Sequence, residues 1–439
     1  MSASEMICFL GMPQALPDEG RVTLVVDSEV SVPSFVKKIV LETPLLRASV
    51  AKEIAWGAVL QKLSCHAAPG WEEMKRQIEE CHCAAHLILS EVSDFGVEAF
   101  AAARANWRLH PPFRDFLALL GSFPKIPALI CGAGASLREA APFLKQAEEG
   151  ALIFAAGSAF TQLAHFEVSP DAVCALDKRM VPPSASSEVP LFMQSRLNPE
   201  VVSLFRGEKI LVPESGPLPW ERWWLDREDQ NLSFGWTAGN FALQIAVFLG
   251  CDPIVMVGMD FCYRDGKKYA HDQMEQECSD LIQVRNGEGK SVWTQRDWVM
   301  AAHFCNEVAS QNRDRTIINT SVGGLSLGSL IKTLSFSEAA KKFSKKIMPG
   351  KHLDKVLKET ELLSFRNKEE EWEESLKRCG LNLEGNLSDE PVYWTLLEPL
   401  WNIWRPLFAR EAEGQDLDLH RILFFQQVLK HQSEMSGRS

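Results

Sequence analysis

Apolar positions follow three different patterns along the chain. Between about residues 125 and 330, short apolar runs without alternation are separated by longer segments whose apolar residues recur at helical spacing. This alternation of fully buried strands with helices predicts a Rossmann-like α/β fold, in which helices cover both faces of a mostly parallel sheet. Residues 1–120 show two strand candidates and then mainly helical patterns, and beyond residue 331 the strand signals stop. A smaller N-terminal α/β region and a C-terminal helical domain are therefore expected to flank the sheet.

The domain boundaries are placed near residues 120 and 330. Pro111-Pro112 and the stretch from Gly121 to Pro124 interrupt the helical pattern of the first region. The resulting division is 1–120, mixed and mostly helical; 121–330, a Rossmann-like nucleotide-binding domain; and 331–439, helical. The predicted strands are Met6–Leu10, Arg21–Asp27, Ala128–Cys131, Leu152–Ala155, Ala172–Leu176, Pro190–Met193, Lys209–Val212, Ile254–Gly258 and Thr316–Asn319. The predicted helices are Val32–Val40, Leu45–Leu63, Trp71–Cys83, Val97–Arg108, Ser136–Ala147, Ala159–His165, Pro199–Phe205, Thr237–Leu249, Arg296–Gln311, Ser337–Ile347, His352–Leu363, Lys368–Arg378, Trp394–Phe408 and Leu417–Lys430.

The stretch from Pro127 to Leu137, Pro-Ala-Leu-Ile-Cys-Gly-Ala-Gly-Ala-Ser-Leu, is the first candidate for ligand chemistry. Its pattern predicts a buried strand, a tight turn and the start of a helix. Glycines in such a turn can adopt positive φ and let a ligand approach the backbone, while the first N–H groups of the helix attract an anion. The predicted nucleotide contacts in this stretch are Gly132, Ala133, Gly134, Ser136 and Leu137.

The glycine turn alone does not specify its ligand, because a Gly-x-Gly connection also occurs as a plain tight turn in doubly wound sheets. The third glycine of the dinucleotide pattern would fall at Leu137, which argues against NAD and FAD. Gly289-Lys290-Ser291 resembles the end of a phosphate-binding P-loop, but Val284 stands where that motif needs its first glycine. An ordinary kinase-type ATP site is therefore not indicated.

A second informative stretch runs from Thr237 to Tyr269. It predicts a helix that is apolar nearly all round and stops at Gly250, followed by a buried strand that ends at Gly258. Tyr263 and Tyr269 are two of only three tyrosines in the chain, and both follow this strand. Phenol hydroxyls can donate to a phosphate without adding positive charge, so they suit the stabilisation of a departing anion. Placement of the pair by chance is the alternative interpretation.

Other polar side chains that follow predicted strands are further candidates, because ligands of doubly wound sheets bind beyond the carboxyl ends of the strands. Asp177 could hold a ribose hydroxyl or Mg²⁺, or could cap the following turn. Asp260 could serve as a base or as a Mg²⁺ ligand, and no firm metal site or cofactor is predicted. The remaining predicted nucleotide contacts are Ser158, Thr237, Ala238, Gly239 and Asn240.

Four motifs in fixed order resemble the motility accessory factor (Maf) family. They are Gly-Ala-Gly-Ala-Ser-Leu at 132–137, Ser-Pro-Asp followed by Ala-Leu-Asp at 169–177, Thr-Ala-Gly-Asn followed by Gly-Met-Asp at 237–260, and Ile-Asn-Thr-Ser-Val-Gly-Gly at 318–324. That family shares a domain with archaeal 6-hydroxymethylpterin pyrophosphokinases, the MptE-like proteins, and the resemblance covers roughly 110–330. The stretch 237–269 also looks like bacterial sialyltransferases that use CMP-activated nine-carbon sugars.

The resemblance implies a CMP-sugar transferase fold with Maf-like architecture. In the sialyltransferases, the Gly-x-Gly-x-Ser-Leu turn holds the nucleotide, and two tyrosines six residues apart meet the leaving phosphate. Tyr263 and Tyr269 match that pair. Maf proteins are linked to O-glycosylation of flagellin with such sugars, which implies a nucleotide sugar and a protein acceptor as partners.

One departure from the sialyltransferase pattern concerns the base that deprotonates the acceptor. The catalytic histidine is expected just before the helix, at Thr294, where this chain reads Val292-Trp293-Thr294. A base must accept a proton near neutral pH, and His271, Asp260 and Asp297 are substitutes of suitable type. A lone histidine in a polar loop is also commonly just solvated.

Composition restricts the class of protein and its compartment. With 46 basic and 58 acidic residues the formal net charge is −12, which disfavours nonspecific binding to nucleic acid. No membrane span or signal peptide is recognised, and the scattered cysteines favour a reduced, cytoplasmic protein. Cys81-His82-Cys83 with His86 lacks a second ligand pair at zinc-site spacing, so a helix face is favoured there over a metal site.

Three functions remain open at this point. The first is a glycosyltransferase that moves a CMP-activated nonulosonic sugar to a protein or glycan hydroxyl. The second is pyrophosphoryl transfer from ATP to a hydroxymethyl pterin, with Mg²⁺ held by Asp177 and Asp260. The third is a non-catalytic nucleotide-binding adaptor that uses the helices around Trp394, Trp401 and Trp404 as its partner surface, although a core role for these tryptophans is favoured.

Overall fold

The computed structural model divides into two compact units. It describes residues 5–13, 15, 21–34, 36–41, 47–94, 96–110, 112–177, 180, 186–213, 218–226, 232–264, 270, 281–341, 347–364, 366–411 and 417–436. The first unit combines Met1–Gly96 with Pro217–Pro219 and Glu369–Ser439, and the second unit comprises Val97–Gly216 and Trp220–Lys368. The units do not follow the sequence-based boundaries near 120 and 330, since both ends of the chain belong to one unit.

The N-terminal part of the first unit is a small parallel sheet with helices. Its elements are β1 (Glu5–Leu10), β2 (Arg21–Val26), β3 (Val36–Val40), α1 (Arg47–Gly57), β4 (Lys62–Ala67) and α2 (Glu72–Glu91). The strands are ordered β3-β2-β1-β4, and every neighbouring pair is parallel. Cys8, Val25, Ile54 and Ile78 belong to the core between this sheet and its helices.

One helix predicted in this region is wrong, and a second is predicted too long. The pattern predicts a helix over Val32–Val40, whereas β3 occupies its second half and pairs with β2. Valine and isoleucine are stiff at χ1 and favour the extended conformation, which overrides the helical spacing. The predicted helix Leu45–Leu63 is too long, because α1 ends at Gly57 and β4 follows. Leu63 and Cys65 are buried there at the two-residue spacing of a strand.

The second unit alternates strands and helices. Its elements in chain order are α3 (Val97–Leu109), β5 (Arg114–Asp115), β6 (Ala128–Cys131), α4 (Leu137–Ala147), β7 (Leu152–Ala156), α5 (Ala159–His165), β8 (Ala172–Ala175), β9 (Leu191–Met193), α6 (Pro199–Leu204), β10 (Lys209–Leu211), α7 (Trp220–Trp224), α8 (Ala238–Leu249), β11 (Ile254–Val257), β12 (Ile282–Arg285), β13 (Ser291–Thr294), α9 (Arg296–Gln311), β14 (Ile317–Asn319), β15 (Lys332–Thr333), α10 (Phe336–Ala340) and α11 (Pro349–Glu359).

A nine-stranded parallel sheet forms the framework of the second unit. Its strand order is β15-β14-β11-β6-β7-β8-β9-β10-β5. Every residue of β6, β7, β8, β9 and β11 is buried, as their unalternating apolar runs predict. Helix α8 is buried on most of its surface and ends at Gly250, which adopts φ of 93°. The Rossmann-like fold class is confirmed, and all seven strands predicted between 125 and 330 occur at their predicted positions.

The sequence patterns do not predict the shortest elements or the hairpin of β12 and β13. The hairpin strands lie largely at the surface, so they lack the apolar runs of the central strands. Gly289, with φ of 77°, and Lys290 lie in its turn. The Asn286 side-chain oxygen accepts the N–H groups of Glu288 and Lys290 there. The triplet that resembles a P-loop is therefore a hairpin turn.

The C-terminal helices belong to the first unit. They are α12 (Glu369–Leu381), α13 (Glu398–Glu411) and α14 (Leu417–Ser436), with one π-helical turn before α13. Leu396 and Leu400 are fully buried, and Trp401 is 7% exposed. Trp404 packs against a buried cluster that includes Val59 of the segment after α1. The core role of this tryptophan-rich segment is confirmed for these residues. None of the described helices combines the length and apolar character that a membrane span requires.

Asp171, directly before β8, is a largely buried carboxylate in the second unit. Its Oδ2 accepts the Ile153 N–H at 2.8 Å, and its other oxygen abuts Gly350 in the first turn of α11. Burial is the main cause that raises the pKa of Asp171 to about 7; the hydrogen bond from Ile153 opposes this rise, and the negative charges of Glu148 and Asp354 add to it. The native state therefore binds a proton that the unfolded chain releases at lower pH.

Replacing Asp171 with asparagine is expected to stabilise the protein at alkaline pH. Between the ordinary pKa of 3.8 and about 7, the native wild type binds more protons than the unfolded chain, so its free energy of unfolding falls as pH rises. The amide still accepts from Ile153 but cannot become charged. We expect a gain on the order of 2 kcal/mol at pH 8 and less at pH 5. Denaturant unfolding at both pH values measures it, and parallel pH profiles of the two proteins would contradict it.

Candidate functional site

The glycine turn after β6 packs directly against the end of β11. Gly132 N–H donates to the Val257 carbonyl at 2.7 Å, and Gly134 N–H donates to the Gly258 carbonyl at 2.9 Å. A Cβ atom on Gly132 would lie 2.5 Å from the Gly258 carbonyl oxygen, and one on Gly134 would collide with the Asp260 carboxylate. The positive φ expected of the two glycines occurs instead at Gly258, at 65°. Contacts within the protein therefore require both glycines.

The Asp260 carboxylate lies at the start of α4. Its Oδ2 accepts the Ser136 N–H at 2.9 Å, and only 2% of the residue is exposed. Its Oδ1 lies 3.6 Å from Arg264 Nη1 and accepts no hydrogen bond from a described residue. Burial raises the pKa of Asp260, while the Ser136 hydrogen bonds and Arg264 lower it. A side chain of the protein thus occupies part of the helix start that the sequence predicts to face a phosphate.

A third strand end, that of β14, joins this arrangement. Ser136 Oγ donates to Ser321 Oγ at 3.0 Å, and the Leu325 N–H donates to the Asp260 carbonyl at 2.9 Å. Ser321 is only 2% exposed, and Leu137 is fully buried. The first and fourth motifs of the sequence resemblance, 185 residues apart at these two serines, therefore meet. The sequence analysis does not predict Ser321 as a site residue. Its place in the motif at 318–324 is the sequence feature that points to it.

Arg264 is a second residue that the sequence did not single out. Its Nη2 lies 3.0 Å from Glu139 Oε1 on α4, and its side chain is 22% exposed. Its Nη1 atom is buried and makes no hydrogen bond to a described residue. A guanidinium beside a helix start has the charge to bind a phosphate, although in this structure Nη1 faces Asp260 and Nη2 faces Glu139. Its only sequence signal was its position four residues after Asp260.

The start of α8 is held mainly by Asn240. Thr237 Oγ1 accepts the Asn240 N–H at 3.2 Å, which caps the helix. Asn240 is fully buried: its side-chain oxygen accepts from the Trp236 N–H, and its amide donates to the Ala301 carbonyl at 3.0 Å and to Cys305 Sγ at 3.3 Å. The predicted nucleotide contact at Asn240 is therefore engaged in joining α8 to α9.

The α8 start is adjacent to the glycine turn. The Met259 side chain lies against both Gly132 and Gly239. The backbone of the glycine turn and the backbone at the start of α8 are therefore only one side chain apart. A Cβ atom on Gly157, which follows β7, would lie 3.1 Å from the Ala238 Cβ. The structure thus brings together Gly132, Ala133, Gly134, Ser136, Leu137, Ala238 and Gly239 at the carboxyl ends of β6, β7 and β11.

Ser158 and Asp177 follow the ends of the next two strands of the sheet. Ser158 is exposed at the start of α5 and makes no capping hydrogen bond there. Asp177 is also exposed, and its carbonyl accepts the Met180 N–H at 3.0 Å. Both residues are accessible from the same edge of the sheet, in agreement with their positions after β7 and β8.

Tyr263 lies where the chain leaves β11 and meets the hairpin. Its N–H donates to the Trp293 carbonyl at 2.8 Å, and its phenol oxygen accepts from Gln295 Nε2 at 3.2 Å. The ring packs against Trp298 at a centroid distance of 5.3 Å. Thr294, at the position expected for a histidine, is fully buried and donates to the Phe261 carbonyl at 2.6 Å.

Tyr269 and His271 lie outside the described residues. Ala270 between them is described, and its N–H donates to the Ala133 carbonyl of the glycine turn at 3.0 Å. Arg138 on α4 donates from Nε and Nη2 to the Ala270 carbonyl, at 3.0 and 2.6 Å.

Metal ligands do not cluster in the part of the chain that the structure describes. No group of three or more His, Cys, Asp or Glu could hold a metal ion there. Cys81, His82, Cys83 and His86 lie on α2, where His82 Nε2 is 3.1 Å from the Ala58 carbonyl. In the candidate site, Asp260 Oδ1 accepts no hydrogen bond from a described residue, but it lies 3.6 Å from Arg264 Nη1, so a cation of the protein already faces it.

Residues 105–266 match the model of the family described as 6-hydroxymethylpterin diphosphokinase MptE-like. The chain carries an MptE-like domain. This MptE-like domain contains the glycine turn, the start of α8 and Asp260. Among solved structures, the chain is similar to the MAf glycosyltransferase from Magnetospirillum magneticum AMB-1, with a TM-score of 0.56 and 14% identity over 99% of this chain and 78% of that one. No curated protein matches the chain.

The two matches confirm the resemblance to the Maf and MptE-like proteins. The structural match extends well beyond the MptE-like domain, since it covers nearly the whole chain. The resemblance to sialyltransferases depends on the sequence motifs alone.

Proposed function

We propose that this chain is a glycosyltransferase that moves a CMP-activated nonulosonic sugar to a hydroxyl group of a protein or glycan. The observation that carries the proposal is the convergence of the glycine turn, the α8 start and the ends of β11 and β14 at one edge of the sheet. Doubly wound sheets bind nucleotides at that edge. The fold similarity to a Maf glycosyltransferase supports the same assignment.

The proposed reaction is a displacement at the anomeric carbon of the sugar. The acceptor hydroxyl gives its proton to a base of the protein and its oxygen forms a bond to that carbon. The bond from the carbon to the phosphate oxygen breaks, and CMP leaves with the electron pair. A phenol can accept one hydrogen bond and donate another. Tyr263, which accepts from Gln295, would donate to the leaving phosphate, and the sequence motif suggests the same role for Tyr269.

The charged residues beside the glycine turn would bind the nucleotide phosphate. Arg264 is the cation in this proposal, because its partly exposed guanidinium lies beside the start of α4, between Asp260 and Glu139. The raised pKa of Asp260 suits a base, but its burial and its hydrogen bond to Ser136 favour a role in positioning α4 and Arg264. His271 and Asp297 are the other candidates for the base by residue type.

A second candidate function is transfer of a pyrophosphoryl group from ATP to a hydroxymethyl pterin. The match of residues 105–266 to the MptE-like family model favours it. Such chemistry uses Mg²⁺ to bridge phosphates. The metal ligand in this candidate would be Asp260 Oδ1, which accepts no hydrogen bond from a described residue and lies 3.6 Å from Arg264 Nη1, with exposed Asp177 as the second carboxylate.

Thermal unfolding with CMP, CDP, UDP and ATP, each with and without Mg²⁺, distinguishes the two candidates. A ligand at 100 times its Kd adds about 2.7 kcal/mol to the stability of the state it binds. We expect CMP to raise the Tm by about 5 °C without Mg²⁺, and more than the other nucleotides do. A shift only with ATP and Mg²⁺ would favour the pterin kinase, and no shift with any nucleotide would contradict both candidates.

A further inference from the structure

A cavity of about 460 Å³ lies at the opposite edge of the large sheet from the candidate site. It sits at the amino ends of three adjacent strands. His110 precedes β5, Glu188 precedes β9, and Arg206 precedes β10, while Lys358 comes from α11. Because β9, β10 and β5 are parallel to the rest of the sheet, their amino ends point away from the glycine turn. This cavity is therefore separate from the nucleotide edge.

The backbone around the cavity is fixed by hydrogen bonds between its two connecting segments. The Arg206 N–H donates to the Ser187 carbonyl at 2.8 Å, and the Leu191 N–H donates to the Glu208 carbonyl at 2.9 Å. Gly207 lies so close to the Glu188 carbonyl that no side chain fits between them. The walls that carry Glu188 and Arg206 are thus already formed without a ligand, which lowers the cost of binding.

The charges that line the cavity leave an excess of cations. Arg114 neutralises Glu208 with two hydrogen bonds, from Nε at 2.8 Å and from Nη2 at 3.2 Å. Arg206, Lys209 and Lys358 form no ion pair with any carboxylate that the structure describes. Three cations therefore face the cavity. Two carboxylates, those of Glu188 and Asp354, also line it.

Two basic residues that line the cavity, His110 and Lys209, have lowered pKa values. Burial lowers the pKa of His110, and the positive charge of Lys209 lowers it further. Burial also lowers the pKa of Lys209, which the nearby Glu208 partly offsets. Perturbed pKa values in a cleft mark candidate functional sites, and a bound anion would stabilise the charged forms of both residues.

We propose that this cavity binds a small polyhydroxylated anion, a sugar phosphate or a sugar acid. The anionic group is held by Arg206, Lys209 and Lys358, and the carboxylates of Glu188 and Asp354 accept hydrogen bonds from hydroxyl groups of the same molecule. The volume suits one small molecule of this size. The proposal is independent of the glycosyltransferase assignment, since it concerns the other edge of the sheet.

Calorimetric titration of the full chain tests the proposal with four probes: glucose 6-phosphate, gluconate, inorganic phosphate and glucose. We expect saturable binding of glucose 6-phosphate or gluconate at one site per chain and no binding of neutral glucose. Competition by inorganic phosphate would identify the phosphate group as the recognised anion, and binding of gluconate alone would identify the carboxylate. Absence of saturable binding by both glucose 6-phosphate and gluconate would overturn the proposal.

Paired variants locate the site. The double variant Arg206→Gln/Lys209→Gln removes two cations and should weaken binding by about 100-fold, or about tenfold for each charge-assisted hydrogen bond. Lys351→Gln, on the same helix as Lys358 but not lining the cavity, is the matched control and should stay within about twofold of wild type. An unchanged Tm of the ligand-free double variant shows that its fold persists. Equal affinity of the double variant and wild type would place the bound anion elsewhere and refute the proposal.

Discussion

Tyr263→Phe is expected to lower kcat for glycosyl transfer by about 100-fold while the KM for the donor stays within about threefold. Loss of one donor to a developing anion typically costs a factor of 100 to 1,000 in kcat. The phenol is half-buried and is oriented by Gln295 and Trp298, so the ring should keep its position when the hydroxyl is removed. A fall in kcat without a matching rise in KM marks an interaction made only in the transition state.

The remaining tyrosine provides a matched control for this experiment. Tyr393 lies in the first unit, where its ring packs edge-on against Phe425. Tyr393→Phe should therefore leave kcat unchanged. The double variant Tyr263→Phe/Tyr269→Phe should show no measurable turnover while its circular dichroism matches wild type. Near-normal turnover of that double variant would reject the proposed role of both tyrosines.

Gly134→Ala is expected to destabilise the second unit by about 3 kcal/mol and to abolish nucleotide binding. The new Cβ would collide with the Asp260 carboxylate and lie 2.7 Å from the Gly258 carbonyl oxygen. Relief of that overlap requires β11 to move away from the glycine turn, which breaks the hydrogen bond from Ser136 to Asp260. Denaturant unfolding and nucleotide titration measure the two effects.

Gly287→Ala is the control for the glycine variant, because it lies in the same unit and has room for a methyl group. The nearest atom to its Cβ would be 3.6 Å away, and its φ is not positive. Its stability should therefore stay within about 0.5 kcal/mol of wild type. If Gly134→Ala proved as stable as this control, the close approach of β6 and β11 at Asp260 would be wrong.

The central strands and helices of the second unit could be predicted because their sequence signals are local. The runs Ala128–Cys131 and Ile254–Val257 are buried on both faces and read as uninterrupted apolar segments. Helix α8 begins after an N-cap threonine, Thr237, and ends at a glycine, Gly250, and both residue types are local signals of helix ends. The sequence predicts a helix at strand β3 because the strand lies at the edge of its sheet and its two lysines disturb the two-residue alternation.

The candidate site could be predicted only in part, because its decisive contacts join distant parts of the chain. The sequence predicts the glycine turn, but it does not show why the turn needs glycines. The reason is the carboxylate at the helix start, which comes from Asp260, 124 residues after Ser136. Asn240 was predicted to touch a ligand, whereas its fully buried amide bonds to α9, 61 residues away. No local sequence pattern indicates which strand end lies beside which helix start. The sequence therefore does not predict Arg264 and Ser321 as site residues.

The first unit is built from segments that are far apart in the sequence, so it cannot be completed during synthesis until its last segment has been made. Glu369–Ser439 emerge from the ribosome after all of Val97–Lys368, on the order of tens of seconds after Met1–Gly96. Until then, the apolar surface of the α1–α2 region that later contacts Ile403 and Trp404 stays uncovered. The nascent chain therefore exposes this apolar surface throughout that interval, and exposed apolar surface of this kind favours aggregation.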